Sequence, residues 1–145
     1  MKAILNNIKI IVSLVCFKED VLDRKLIEKI IGKKSYVNLN DEIYSLREIT
    51  GIMRQNIQNN ITFTDDFITK INVKALKSKI IIDEIVNGIE NDSFIPGHAN
   101  SKSYLLNYLR NFKSSLEGII KFTNPFNYDE LLKYTNSLID LILLF

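Results

Sequence analysis

The sequence predicts an all-α fold, a compact single domain of five or six helices. Apolar residues recur at intervals of three and four along nearly the whole chain, which is the period of a buried helix face. The chain has 145 residues, of which 46% are hydrophobic, and only five glycines and two prolines mark turns. A chain of this length buries about 70% of its surface on folding, so one core forms without disulfides or metal. We therefore expect residues 1–145 to form a single helical domain.

The N-terminal part of the chain contains two apolar patterns. The first pattern has helical spacing: Ile4, Ile8, Ile11 and Val15. Because this stretch is rich in β-branched residues, a strand over residues 8–17 is the alternative to a helix. The second pattern runs from Val21 to Ile31 and predicts an amphipathic helix that ends at Gly32. A basic loop, Lys33-Lys34, follows it.

Three later helices share one sequence signature at their start. A capping residue precedes two acids in the first turn: Asn40 before Asp41 and Glu42, Thr64 before Asp65 and Asp66, and Asn127 before Asp129 and Glu130. The side-chain oxygen of such a cap accepts hydrogen bonds from unpaired backbone N–H groups, and the acids meet the positive end of the helix. We therefore assign these acids to helix starts rather than to catalysis.

The capped helices and one further helix complete the predicted fold. The predicted ranges are 41–58, 65–91 with a break near Asn72, 102–122 after a loop at 93–100, and 128–145. Apolar residues spread around the axis of the helix at 65–91, so we expect that helix to be central and largely buried. The segment from Leu138 to Phe145 is almost wholly apolar and predicts a buried C-terminal helix. An exposed dimer surface is the alternative for that segment.

The chain lacks the residues that most catalytic sites need. Its one cysteine and one histidine, Cys16 and His98, cannot assemble a zinc site and show no catalytic signature. The sequence also has no phosphate-binding glycine loop and no Gly-x-Ser-x-Gly motif. We therefore expect no cofactor, no metal and no enzymatic activity. A hydrolase that uses a pair of acidic residues is the alternative class.

Composition and the apolar runs indicate a cytoplasmic location. No apolar stretch reaches the roughly 18 residues that a transmembrane helix needs. The run from Ile10 to Phe17 does not fit a secretion signal, because polar residues precede it and no cleavage site follows. A lone cysteine suits a reducing compartment. The net charge of +2 is too small to predict direct binding of nucleic acid.

Charge is distributed unevenly along the helix predicted at 65–91. Residues 70–79 contain four lysines and no acid, whereas residues 80–100 contain four acids and no lysine or arginine. These acids, Asp83, Glu84, Glu90 and Asp92, predict an acidic surface for a basic partner. A solvated helix exterior is the alternative. Tyr104 and Tyr108 are the candidate aromatic contacts of the same surface, and a position at the edge of the core is their alternative.

Taken together, these patterns predict a protein whose function is to bind another protein. Small size, a helical bundle and an acidic patch suit an immunity or antitoxin-type inhibitor that masks the active site of a cognate toxin domain. The alternative is a viral or mobile-element bundle that captures a helix of a host protein in a groove. A homodimer formed through the C-terminal apolar helix is a further possibility for its partner.

Overall fold

A computed structural model describes residues 23–91, 94 and 99–145. Five helices occupy these ranges: α1 (Arg24–Ile31), α2 (Lys33–Gln58), α3 (Asp65–Glu90), α4 (Ala99–Thr123) and α5 (Tyr128–Leu144). The described ranges contain no strand, and the predicted all-α fold is confirmed for them. Residues 8–17, Cys16, Asp92 and His98 lie outside the described residues, so the predictions made for them stay predictions.

Helices α2 to α5 pack side by side as a four-helix bundle in which successive helices run antiparallel. The amide of Asn72 on α3 donates to the Thr123 hydroxyl at the far end of α4, at 2.8 Å. Phe122 near the end of α4 stacks on Tyr134 near the start of α5, with ring centroids 5.8 Å apart. Helix α2 contacts both α3 and α5, and this closes the ring of four helices.

The short helix α1 packs against one end of this bundle. Asp23 caps it by accepting hydrogen bonds from two backbone N–H groups of its first turn. The Arg24 side chain donates to the backbone carbonyl of Phe145 at 2.9 Å, and its guanidinium lies 5.2 Å from the centre of the Phe145 ring. The ring of Tyr36 on α2 stacks on the same phenylalanine. The C-terminus of the chain is therefore held between α1 and the start of α2.

The predicted start of α2 is wrong. Lys33-Lys34 begins the helix instead of forming a loop, and Asn40 lies inside the helix instead of capping it. Gly32 ends α1 as predicted, but its φ of +87° also turns the chain so sharply that α2 begins at the next residue. Leu39 and Ile43 are then buried in the core. Their burial outweighs the weak helix propensity of Asn40.

The other predicted caps are confirmed. Thr64 accepts a hydrogen bond from the backbone N–H of Phe67, and Asn127 accepts one from Glu130, each at 3.1 Å. The predicted break near Asn72 is wrong, because the helix continues through this residue and its side chain is paired with Thr123. Helix α4 starts at Ala99, three residues earlier than predicted.

The core lies along the axis of the bundle. Its most deeply buried large side chains are Ile30, Leu39, Ile43, Leu46, Met53, Ile82, Leu105, Leu109, Phe112, Leu116, Leu131 and Leu138. The C-terminal segment is buried on one side as predicted, through Leu138, Ile142 and Phe145. Leu143 of the same segment is 72% exposed.

The prediction that the helix at 65–91 is largely buried is wrong. Helix α3 contacts α1, α2 and α4, but one side of it faces solvent. A helix in a ring of four turns one side to the centre and two flanks to its neighbours, so its fourth side remains open. Apolar residues that spread around the whole axis must therefore include some exposed ones.

Candidate protein-binding surface

The open side of α3 has three apolar residues, Val73, Leu76 and Ile80, which we call the α3 outer face. Their side chains are 49%, 44% and 60% exposed. The spacing of three and then four residues places them on one line along the helix. Exposed apolar patches of this kind are typical of sites that bind proteins or membranes.

Two charged residues border the α3 outer face. Lys77 and Glu84 are exposed, and they lie three residues before and four residues after Ile80 on the same side of the helix. Neither side chain has an ion-pair partner among the described residues. Both charges are therefore available to a partner that covers the apolar stripe.

The other predicted acidic residues lie on the flank of α3 that meets α4. Asp83 accepts from Lys113 of α4 at 2.8 Å and lies 3.6 Å from Lys79 of its own helix. Glu90 pairs with Arg110 of α4. The hydrogen bond donated to Asp83 raises the pKa of the Lys113 ammonium above its usual value. The two helices are thus joined by ion pairs along their exposed edge.

These ion pairs change the electrostatics that the sequence predicts. The edge of α3 and α4 contains three carboxylates and three bases: Asp83, Glu90 and Glu117, with Lys79, Arg110 and Lys113. The predicted acidic surface is therefore neutralised along this edge by Lys79 of α3 itself and by two bases of α4. Glu84, on the open side of α3, has no ion-pair partner in the described structure.

The two candidate tyrosines lie in different surroundings. Tyr104 is 41% exposed on the first half of α4. Tyr108 is only 5% exposed, and its hydroxyl donates to the backbone carbonyl of Leu141 on α5 at 2.6 Å. Burial raises the pKa of this phenol well above its usual value. Tyr108 therefore holds α4 and α5 together, which agrees with the alternative of a core position.

The α3 outer face was not predicted from the sequence, because the spread of apolar residues around the axis of this helix was interpreted as a sign of burial. Ile71, Ser78 and Ile82 are three of the seven buried positions of this helix, and they lie on the side opposite its outer face. The signal available in the sequence was the serine at position 78. A helix that has Ser78 on its inner side and Ile80 on the opposite side has apolar residues that its own core does not bury.

A polar cluster joins α2 to α3. Glu42 is buried, pairs with Lys74 at 2.7 Å and accepts a hydrogen bond from the Ser78 hydroxyl. Two partners compensate the buried carboxylate, which would otherwise be costly. The cluster therefore fixes how α3 packs on α2, and so how its outer face is presented.

A second surface feature lies between α2 and α5. An open groove of about 290 Å³ is lined by Arg47, Gly51 and Arg54 of α2 and by Ile139 and Leu143 of α5. A larger and shallower groove, of about 580 Å³, lies between α2 and α3. The arginine-lined groove is on a different side of α2 from the Glu42 cluster.

Within residues 23–91, 94 and 99–145, no three His, Cys, Asp or Glu side chains gather as a metal site. No described helix has the length and apolar character needed to cross a membrane. Comparisons with protein-family models, with curated proteins and with solved structures gave no match.

Proposed function

We propose that this protein binds another protein without catalysing a reaction, and that it is an immunity or antitoxin-type inhibitor. In this proposal it acts in the cytoplasm and masks the active site of a cognate toxin. The observation that carries the proposal is the α3 outer face, a line of half-exposed apolar side chains next to the charges of Lys77 and Glu84, which have no ion-pair partner in the described structure.

The apolar stripe supplies the attraction in this proposal. Fully burying a Val, Leu or Ile side chain contributes about 1.5–3 kcal/mol. Val73, Leu76 and Ile80 are each about half exposed, so a partner that covers them gains roughly half of that value at each position. Contacts of this strength suit the centre of an interface, where a few buried side chains dominate the affinity.

The acidic residues supply orientation. Glu84 is exposed beside the stripe and is the carboxylate best placed to pair with a basic side chain of a toxin. Asp83 and Glu90 are already paired with α4, so a partner would have to replace Lys113 or Arg110. Rim charges of this kind change association rate and specificity more than affinity.

The test is capture of the partner by matched variants of the full chain. Tagged wild-type protein, Ile80→Glu and the control Ile61→Glu are incubated with lysate of the native host, and the captured proteins are identified by mass spectrometry. Both substitutions place a charge at an exposed apolar position. We expect the wild type and the control to retain one stoichiometric partner, and Ile80→Glu to lose it.

The inhibitor part of the proposal needs a second readout. The captured partner is expressed alone and together with this protein, and its toxicity to the cell is measured. We expect coexpression of the wild type to restore growth and coexpression of Ile80→Glu to fail. A partner without toxicity would contradict the inhibitor assignment and leave protein binding in place.

A second candidate function, capture of a partner helix, is favoured by the groove between α2 and α5. Arg47 and Arg54 flank an apolar interior there, and an apolar groove is the kind of surface that receives the apolar face of an amphipathic helix. Self-association through α5 is the third candidate, and the exposed Leu143 is its contact. Light scattering of the purified chain distinguishes a dimer from a monomer.

A further inference from the structure

The groove between α2 and α5 has an open apolar interior. Gly51 forms part of its α2 wall, and a Cβ atom at that position would contact nothing within 4 Å. Ile139 and the strongly exposed Leu143 form the opposite wall. The hydroxyl of Thr50 is already satisfied, because it donates to the carbonyl of Leu46 at 2.7 Å. An apolar side chain can therefore enter this groove without leaving that hydroxyl unpaired.

Two arginines mark the ends of this interior. Arg47 and Arg54 are exposed and lie seven residues apart on α2, which corresponds to about 10.5 Å along the helix axis. Neither guanidinium has a carboxylate partner among the described residues. A guanidinium presents a planar set of donors that matches a carboxylate, so both ends of the groove favour an acidic ligand.

We propose that this groove binds an amphipathic helix of a partner protein, with two carboxylates seven residues apart and large apolar residues between them. Two carboxylates seven residues apart on a helix are separated by the same axial distance as Arg47 and Arg54, so each can meet one guanidinium. The apolar side chains between them would meet Ile139 and Leu143, and Gly51 lets the incoming helix approach closely. The proposal rests on the helix-capture candidate and specifies its ligand. It does not depend on the α3 outer face.

The dimensions favour a helix over a small anion. The groove holds about 290 Å³, which is at the lower limit for pockets that enclose small molecules. A small carboxylate could reach one of the two guanidiniums but not both, because Arg47 and Arg54 are about two helical turns apart on α2. A helix lying along α2 is the ligand that engages both ends and the apolar interior at once.

The proposal is tested with a stapled helical peptide that has two glutamates seven positions apart and leucines between them. Its affinity for the full chain is measured by fluorescence anisotropy. We expect saturable binding that falls at least tenfold in the double variant Arg47→Glu/Arg54→Glu. A second peptide with lysines in place of the glutamates should bind this variant more tightly than it binds the wild type.

The matched control is Lys33→Glu/Lys34→Glu, which makes the same change in net charge at exposed positions of the same helix. It should retain wild-type affinity. The variant Gly51→Met, which fills the groove without altering charge, should weaken binding at least fivefold. Circular dichroism checks that each variant keeps its helical content.

Four results would overturn the proposal. If the wild-type protein does not bind the glutamate peptide, the proposal is wrong. If the Lys33/Lys34 control loses as much affinity as the Arg47/Arg54 variant, the effect is one of net charge and not of the groove. If the arginine double variant still binds the peptide with wild-type affinity, the protein binds the helix at a surface other than this groove. A wild-type dimer that the arginine substitutions separate would assign the groove to a second copy of this chain.

Discussion

The carboxylate of Asp83 on α3 lies 2.8 Å from the ammonium of Lys113 on α4. This pair, together with Glu90 and Arg110, turns an acidic segment of the sequence into one half of an interhelical set of ion pairs. Glu84, one residue along from Asp83, remains exposed and unpaired in the described structure. Adjacent acids therefore have different roles, because the period of the helix points one at α4 and the other at solvent.

The first prediction separates these two roles by charge reversal. Asp83→Lys places a cation beside Lys113 and Lys79, so we expect the free energy of unfolding to fall by about 0.5–1 kcal/mol. Glu84→Lys meets no described partner and should change stability by less than about 0.5 kcal/mol. Urea denaturation followed by circular dichroism measures both. Equal destabilisation by the two variants would contradict the assignment, and high salt should reduce the effect at Asp83.

The second prediction concerns two glycines inside helices. Gly51 has open space where a Cβ atom would be, so Gly51→Ala should raise the free energy of unfolding by about 0.5–1 kcal/mol through helix propensity alone. At Gly118 a Cβ atom would overlap the ring of Tyr134, so Gly118→Ala should destabilise by about 1–3 kcal/mol. Thermal and urea denaturation of the two variants test this. Shifts of the same sign would show that α4 and α5 do not pack through Gly118 as described.

The third prediction concerns the buried carboxylate of Glu42. Glu42→Ala removes the partner of Lys74 and of the Ser78 hydroxyl, and we expect a loss of about 1–3 kcal/mol. Lys74 is partly exposed and can regain water, which keeps the loss below that of a fully buried pair. The control is Glu48→Ala, an exposed position of the same helix, which should stay within about 0.5 kcal/mol of wild type. A loss no larger than that of the control would contradict the structural role of Glu42.

The fourth prediction is a dependence on alkaline pH. Burial raises the pKa of Tyr108 in the folded protein above the value of about 10 that it has when unfolded. Its contribution to stability is therefore complete below about pH 10 and is lost as the pH rises from there towards the folded-state pKa. At neutral pH, Tyr108→Phe should destabilise by about 1 kcal/mol, because the hydrogen bond to Leu141 is lost. We expect the difference between wild type and variant to narrow above pH 10, and a constant difference would contradict the burial of this hydroxyl.

The fold could be predicted from the sequence wherever the signals are local. The caps at Thr64 and Asn127 depend on residues within one turn, and both helices start as their sequences indicate. The start of α2 could not be found in this way. Gly32 ends one helix and starts the next, and that double use depends on a positive φ and on the burial of Leu39.

The candidate site was less predictable because its determinants are not local. Arg110 and Lys113, which pair with Glu90 and Asp83, lie 20 and 30 positions away on α4, and no pattern within α3 predicts these pairs. Among the described residues, only Lys79, four residues before Asp83, is a partner within α3 itself. The exposure of Ile80 depends on which side of α3 meets the rest of the bundle. Glu84 was predicted from the distribution of charge along the chain, whereas the apolar residues beside it were not predicted to be exposed.

The central claim is that the α3 outer face binds a protein partner. We would measure the affinity of the purified, captured partner for wild type, Ile80→Glu and the control Ile61→Glu by isothermal titration calorimetry. We expect Ile80→Glu to weaken binding by about 10- to 100-fold, equivalent to about 1.4–2.8 kcal/mol, and Ile61→Glu, at another exposed apolar position, to leave it unchanged. Equal affinity of the partner for wild type and Ile80→Glu would contradict it.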